Sequence, residues 1–404
     1  MKKVFKMNIL HVVPSFAPCF AHGGVVNASY QIAKKQVEEG HNVTVYTTDS
    51  CNERLKFENN YNVDVEGIKV FYFKNLSNSI KNKLTIDTPI SALSHIKKTI
   101  SDFDIIHIHE HRHSLAIATH RYAKKNNVAY VLQAHGSVLP FFQKEKMKDI
   151  FDKLWGFDIL HDASRVFALT EIEKEQYLKM NVAEEKIEIV PLGINLNEYD
   201  LLPDKGNFKS KYDISDSNKL ILFLGRIHEI KGLDLLVNAF GRTDYNNVTL
   251  AIVGGDYGFK EKLEELIVKN NLQGKVIFPG VLTGRDKIEA LVDCDIFVMP
   301  SRYESFTTSG LEAMACCKPL ILTKNNHIHT WVKDNVGLVC EFDENDLANS
   351  IETLLNDNEL CYKFGKTGRK LIEDKYDWDK VSKQIINIYK TCSNEYWDCQ
   401  QKCW

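Results

Sequence analysis

Residues 296–319 constrain the fold of this chain more than any other stretch. An apolar run, Ile296–Met299, breaks at Pro300 into a polar loop, and helix-like Leu311-Glu-Ala-Met-Ala315 follows before Lys318-Pro319. A strand that passes through a loop into a helix is the repeating unit of α/β sheets. The N–H groups near Thr307, Thr308 and Ser309 are the unpaired donors of a helix N-terminus, where anions and phosphates bind. Glu304 lies in the turn and Glu312 eight positions later on the helix. A carboxylate on each side of such a cradle can accept hydrogen bonds from the hydroxyls of a nucleotide sugar.

The rest of the chain repeats this alternation. Strands are expected at 8–14, 41–47, 68–73, 105–109, 129–133, 165–169 and 188–191, with a helix at 28–40. A second series follows at 220–224, 249–253, 276–278, 296–299 and 319–322, with a helix at 233–240. Strands separated by helices imply parallel, doubly wound sheets, whose ligands collect at the carboxyl ends of the strands. We expect two Rossmann-like domains, residues 1–202 on the acceptor side and 207–377 on the nucleotide-sugar side. Leu202-Pro-Asp-Lys-Gly206 is the expected linker, and 378–404 a final helix and tail packing on the first domain.

A chain of 404 residues can bury two cores. Its net charge of −3 gives no reason to expect nucleic acid. No apolar run approaches the roughly 20 residues of a membrane span. The basic-then-apolar stretch from Met1 to Pro14 reads better as a first strand than as a signal peptide. A cytoplasmic protein is expected, so the ten cysteines are expected to be free thiols used as small core residues. Cys399 and Cys403, one helical turn apart beside Trp397 and Trp404, leave room for metal capture or acylation.

Pro300-Ser-x-x-Glu-Ser-Phe306, then Leu311-Glu-Ala-Met-Ala315, then Lys318-Pro319 resemble the signature of retaining glycosyltransferases of family 4. Gly225-Arg226 through Lys231-Gly232 resembles the phosphate loop of the same family. The resemblance implies the GT-B architecture, two facing Rossmann-like domains with a cleft. It implies that Arg226 and Lys231 hold the donor diphosphate, a forked and a compact cation stabilising the leaving group. Glu312 would bind the ribose diol and Glu304 the sugar hydroxyls, with Phe306, Thr307 and Thr308 in the same donor cradle. Gly23-Gly24 matches the family's glycine loop on the acceptor-side domain. His135, directly after a strand, matches an active-site histidine that orients the transferred sugar. His109, at the end of its strand, would lie near the acceptor.

The run His107-Ile-His-Glu-His-Arg-His113 invites a metal, but His107 and His109 share one strand face with no clear partner set downstream. The Asp-x-Asp pairs at 102/104, 293/295 and 377/379 lie apart from the phosphate motifs or lead into a strand. No metal or other cofactor is expected. In 141–155, Met147, Ile150, Phe151 and Leu154 form an apolar stripe amid lysines. That stripe suits an ordinary helix packed on its own domain, with an anionic membrane as the other reading. Cys317 stands where relatives commonly have glycine and is expected to crowd a close backbone contact. Thr323-Lys-Asn-Asn-His-Ile-His329 replaces a glycine-rich loop.

The expected activity is metal-independent, retaining transfer of a hexose from a nucleoside diphosphate sugar, uridine favoured slightly over guanosine. The acceptor would be a glycan or lipid-linked glycan in cell-surface polysaccharide or glycolipid assembly, with the protein possible at the inner membrane face. A nucleotide-sugar epimerase of the same fold and a non-catalytic subunit of a polysaccharide assembly complex are the alternatives.

Overall fold

The computed structural model describes residues 6–20, 23–51, 54–55, 62–76, 89–140, 144–242 and 247–402, with the side chains of 395–402 set aside. The chain divides into two compact units, residues 1–192 with 378–404, and residues 193–377.

The first unit holds strands β1 (Asn8–Val12), β2 (Asn42–Thr48), β3 (Asn62–Val65), β4 (Ile68–Phe73), β5 (Ile105–His109), β6 (Tyr130–Gln133), β7 (Arg165–Ala168) and β8 (Ile187–Ile189). They form one sheet in the order β3-β4-β2-β1-β5-β6-β7-β8. Every pair is parallel except β3 with β4. β3 was not expected: its short Asn-Val-Asp-Val run is only half-buried at the sheet edge, which leaves little hydrophobic signal. The central strand β5 is wholly buried, histidines included.

The second unit holds β9 (Lys219–Leu224), β10 (Val248–Val253), β11 (Val276–Gly280), β12 (Ile296–Met299), β13 (Leu320–Thr323) and β14 (Gly337–Cys340). Their order is β11-β10-β9-β12-β13-β14, all parallel. Leu220–Phe223 and Leu250–Val253 are wholly buried, as unbroken apolar runs covered on both faces must be.

Four expectations are corrected. The division falls at Leu192/Gly193, ahead of the expected linker. Segment 202–206 is instead tied into the second unit, because Asp293 accepts the Gly206 and Lys209 N–H groups at 2.5 and 2.9 Å. Cys19 and Cys51 are joined in a disulfide. They lie just beyond the carboxyl ends of the paired strands β1 and β2, a proximity that needs the strand order to be seen. Most of the stripe in 144–155 faces outward: Met147, Ile150 and Leu154 are exposed, as is Trp155, while Phe151 packs against the core as expected. Beside Phe151 the inward side carries Asp152, which is buried and grips Arg112 at 2.9 and 2.6 Å. Cys317 does not crowd a contact; it takes the left-handed position (φ 57°) that ends the helix Thr308–Ala315. His22, Phe141 and the Cys403–Trp404 pair lie outside the described residues, as do the side chains of Trp397 and Cys399.

The helix Trp378–Lys402 belongs to the first unit, where Lys35 pairs with Asp379 at 2.7 Å and Tyr389 is fully buried. A left-handed residue with a Cβ is strained where glycine is not. Cys317→Gly is therefore expected to raise stability by about 0.5–1 kcal/mol, read from the urea midpoint at constant m-value.

Candidate functional site

In the second unit, the loops after β9 and β12 carry most of the expected site. Gly225 continues β9 by donating to Val253, and Arg226 follows, exposed, with its guanidinium 5.5 Å from the Tyr257 ring. A single turn, Glu229–Lys231, is capped by His228, whose Nδ1 accepts the Ile230 N–H at 3.1 Å. Burial lowers the His228 pKa, and the charges of Arg226 and Lys231 lower it further. Both cations therefore act on one small region. Gly232 ends the turn at φ 66°, where a Cβ would run into the Pro300 carbonyl, so the two loops touch through backbone.

Lys231 pairs with Glu304, each side chain largely buried. Arg302 fixes their loops to each other: its N–H donates to Ile230, and its guanidinium to the Glu229 carbonyl and, bidentately, to Asp234 at 2.8 and 2.6 Å. Burial opposes the Asp234 charge, yet Arg302 outweighs it and holds the carboxyl below its usual range. The 323–329 loop supports Glu304 from the other side. Glu304 N–H donates to Asn325, His327 N–H donates to Glu304, and Thr323 donates to Ser301 at 2.7 Å.

Thr307 caps the helix Thr308–Ala315 by accepting the Gly310 N–H at 3.1 Å. The first N–H groups of that helix, including those of Thr308 and Ser309, have no intrahelical partner. Phe306 is buried, its ring 6.0 Å from Trp331. Glu312 pairs with Lys287 at 2.6 Å and is hydrogen-bonded by Tyr199, whose hydroxyl is pushed up by burial and by the Glu312 charge. The structure thus brings Lys231 and Glu304 into contact, ties their loops through Arg302, Asp234 and His228, and holds Glu312 through Lys287 and Tyr199, groups the sequence did not suggest. An Arg302–Asp234 pair 68 residues apart carries no local signature.

In the first unit, Gly23 adopts φ 95° at the start of the helix Gly24–Glu38, a conformation only glycine holds without strain. His135 follows β6 at φ 52°, with Gly136 at φ 83°. Two consecutive left-handed residues need support, and the helix Glu171–Lys179 gives it. Glu173, wholly buried, accepts the Gly136 and Leu169 N–H groups, both at 2.6 Å. Tyr177 accepts from Ala134 N–H at 3.0 Å and donates to Phe167 at 3.3 Å.

His109 lies behind His135, its Nδ1 2.9 Å from His135 Nε2, and its Nε2 2.9 Å from His11 Nδ1. His11 Nε2 is in turn 2.7 Å from Gln36 Oε1. His107 Nδ1 is 2.6 Å from Tyr389 Oη. The partner missing from the sequence was upstream rather than downstream: His11, His107 and His109 each place a ring nitrogen within 4.8 Å of the others. Burial lowers His11 to about 4 and His135 to about 3. Burial also holds His107 and His109 well below the usual imidazole range, aided by their histidine neighbours. All four are neutral near pH 7, each with one donor and one acceptor.

Burial raises Glu173 to about 7, against the two N–H bonds that favour its charge. This folded-state value lies above the ordinary 4.5, so the folded chain holds the extra proton between them. The resulting stability is complete below the ordinary value and is lost as pH rises through about 7. Stability should fall from about pH 5 to about pH 8, with a slope of at most about 1.4 kcal/mol per unit from this group. Urea titrations should show that slope absent in Glu173→Gln; an identical slope in the variant would sink the assignment.

Comparison with known proteins places the chain in a family. Residues 204–371 match the family described as Glycosyl transferases group 1, and residues 22–198 match Glycosyltransferase Family 4. O-antigen chain mannosyltransferase C of Escherichia coli is 25% identical, covering 95% of this chain and 98% of that protein. Mannosylfructose-phosphate synthase of Agrobacterium fabrum is 22% identical over 91% of this chain and 86% of that protein. Matches to two uncharacterised glycosyltransferases of Methanocaldococcus jannaschii, 26% and 32% identical over 57% and 43% of this chain, span 60% and 48% of those proteins. The crystal structure of Anabaena HepE in complex with UDP superposes with a TM-score of 0.77 at 19% identity, over 95% of this chain and all of that one. The parallel sheets, the site loops and the two matched segments agree: the chain belongs to the group 1, family 4 glycosyltransferases of GT-B architecture.

Proposed function

We propose that this protein transfers a sugar, with retention of configuration, from a nucleoside diphosphate sugar to a glycan or lipid-linked glycan acceptor. The observation that carries the reading is the meeting of the loops after β9 and β12, with Lys231 against Glu304 beside a capped helix N-terminus. Arg226 and Lys231 would take the diphosphate and stabilise the charge that grows as it leaves. The N–H groups at Thr308 and Ser309 add fixed partial positive charge. Glu312 would accept the ribose hydroxyls and Glu304 those of the sugar, with His135 orienting the sugar.

In the proposed reaction the bond from C1 to the diphosphate oxygen breaks, and the acceptor oxygen bonds C1 on the same face. The acceptor proton passes to the departing phosphate oxygen, so no protein nucleophile is needed. Charge neutralisation by two cations makes a metal unnecessary on this reading. UDP is the favoured nucleotide; the HepE structures contain UDP and UDP-glucose. Relatives named for O-antigen and capsular polysaccharide synthesis support a cell-surface glycan as product.

The exposed Met147, Ile150, Leu154 and Trp155, flanked by exposed Lys146 and Lys153, suit an anionic membrane surface where a lipid-linked acceptor would lie. Among the described residues no helix is long and apolar enough to cross a membrane. Leu154→Ser with Trp155→Ser should abolish co-sedimentation with phosphatidylglycerol vesicles while leaving UDP binding intact.

Thermal denaturation with UDP or GDP in EDTA tests the donor site. At 100 times its dissociation constant the right nucleotide should stabilise the chain by about 2.7 kcal/mol. Lys231→Ala should lose that response and slow transfer by about a hundredfold or more. No response to either nucleotide without metal, or unchanged transfer in Lys231→Ala, would refute the assignment.

A further inference from the structure

The first unit buries more imidazole than sugar orientation by His135 requires. Gln36, His11, His109 and His135 form one unbroken hydrogen-bonded row through the helix Gly24–Glu38, β1, β5 and the loop after β6. Gln36, His11 and His109 are wholly buried. The row ends at His135 Nδ1, which is shielded from solvent and has no hydrogen-bond partner.

A row of neutral imidazoles can be protonated in only two ways, because every N···N contact needs one donor and one acceptor. Fixing the proton on one ring fixes all the others. The far end supplies that choice. Gln36 Oε1 can only accept, so His11 carries its proton on Nε2. His11 Nδ1 then accepts from His109 Nε2–H, and His109 Nδ1 accepts from His135 Nε2–H.

The Gln36 amide, placed with Oε1 toward His11, also joins a second branch. Its Nε2 donates to Tyr389 Oη at 3.4 Å. Burial keeps that phenol protonated, so its O–H is left to donate to His107 Nδ1 at 2.6 Å. With the amide turned over, every bond in both branches would reverse together. Gln36 is thus the group that couples the two branches, and the placement of its amide carries the polarity of the whole network.

We propose that Gln36, acting through His11 and His109, sets the tautomer of His135, so that His135 keeps its proton on Nε2 and presents Nδ1 as a lone pair that accepts a hydrogen bond from a substrate hydroxyl. The proposal rests on the reading of His135 as a sugar contact. Gln36, His11 and His109 are positioning residues: they act through His135 and select a substrate group that can donate at that point. A sugar whose hydroxyl there is replaced by an acceptor-only group is excluded.

The test is a long-range proton–nitrogen spectrum of the full chain with nitrogen-15 histidine at neutral pH and without donor. His135 is assigned by His135→Asn. The expected spectrum has a pyrrole-type Nε2 and a pyridine-type Nδ1 on His135, with His107 likewise protonated on Nε2. Gln36→Met, close in size but without hydrogen-bonding groups, should mix the two forms and lower kcat by about tenfold or more with little change in donor KM. A proton on Nδ1 of wild-type His135 overturns the proposal whether or not the variant folds. So does an unchanged His135 spectrum in Gln36→Met, or a wild-type spectrum altered by EDTA, which would place a metal among these histidines. A chain with the expected tautomer that transfers no sugar would refute the functional reading and leave the relay standing.

Discussion

Parallel strands cannot be joined by tight hairpins, and the rest of this structure depends on that constraint. Each crossover returns the chain to the same end of the sheet, so every loop following a parallel strand emerges at the carboxyl end. In the second unit this puts the loops after β9, β12 and β13 side by side, although they are far apart in sequence. The consequences are the contact of Lys231 with Glu304, the Gly232–Pro300 approach and the support of Glu304 by Asn325 and His327. In the first unit it places His11, His109 and His135 in one row across β1, β5 and the end of β6. The chemistry is assembled by topology, and side chains then refine it.

That division explains what the sequence disclosed. Apolar runs such as Ile105–His109 and Ile296–Met299 name themselves as buried strands, and the helix Leu233–Phe240 was bounded by Gly232 and Gly241. Arg226, Lys231, Glu304 and Glu312 stood out as candidates because they sit in short strand–loop–helix stretches. Edge strand β3 was not legible, since half-burial weakens alternation, and neither was β14, an edge strand that opens on glycine and is only partly buried. Long-range partners were invisible for a different reason. Arg302 could pair with any acidic residue until the strand order brings Asp234 to it, and Glu173 is one glutamate among many until the fold buries it under His135. The Cys19–Cys51 link and the outward stripe of 144–155 fall in the same class.

The two units handle polarity in opposite ways, and the difference follows from what each must hold on the proposed reading. The second unit keeps its charges: Lys231 with Glu304, Lys287 with Glu312, Arg302 with Asp234. A dianionic diphosphate needs full positive charge, and pre-paired cations spare the folded chain an uncompensated buried ion. In the first unit burial discharges the histidines, so His11, His107, His109 and His135 are neutral near pH 7. A cationic His135 could only donate. A neutral one can distinguish a hydroxyl that donates from an oxygen that cannot, provided its tautomer is fixed. Burying three imidazoles in one hydrogen-bonded row achieves both at once: desolvation removes the charge, and the row leaves the remaining proton no independent choice of nitrogen.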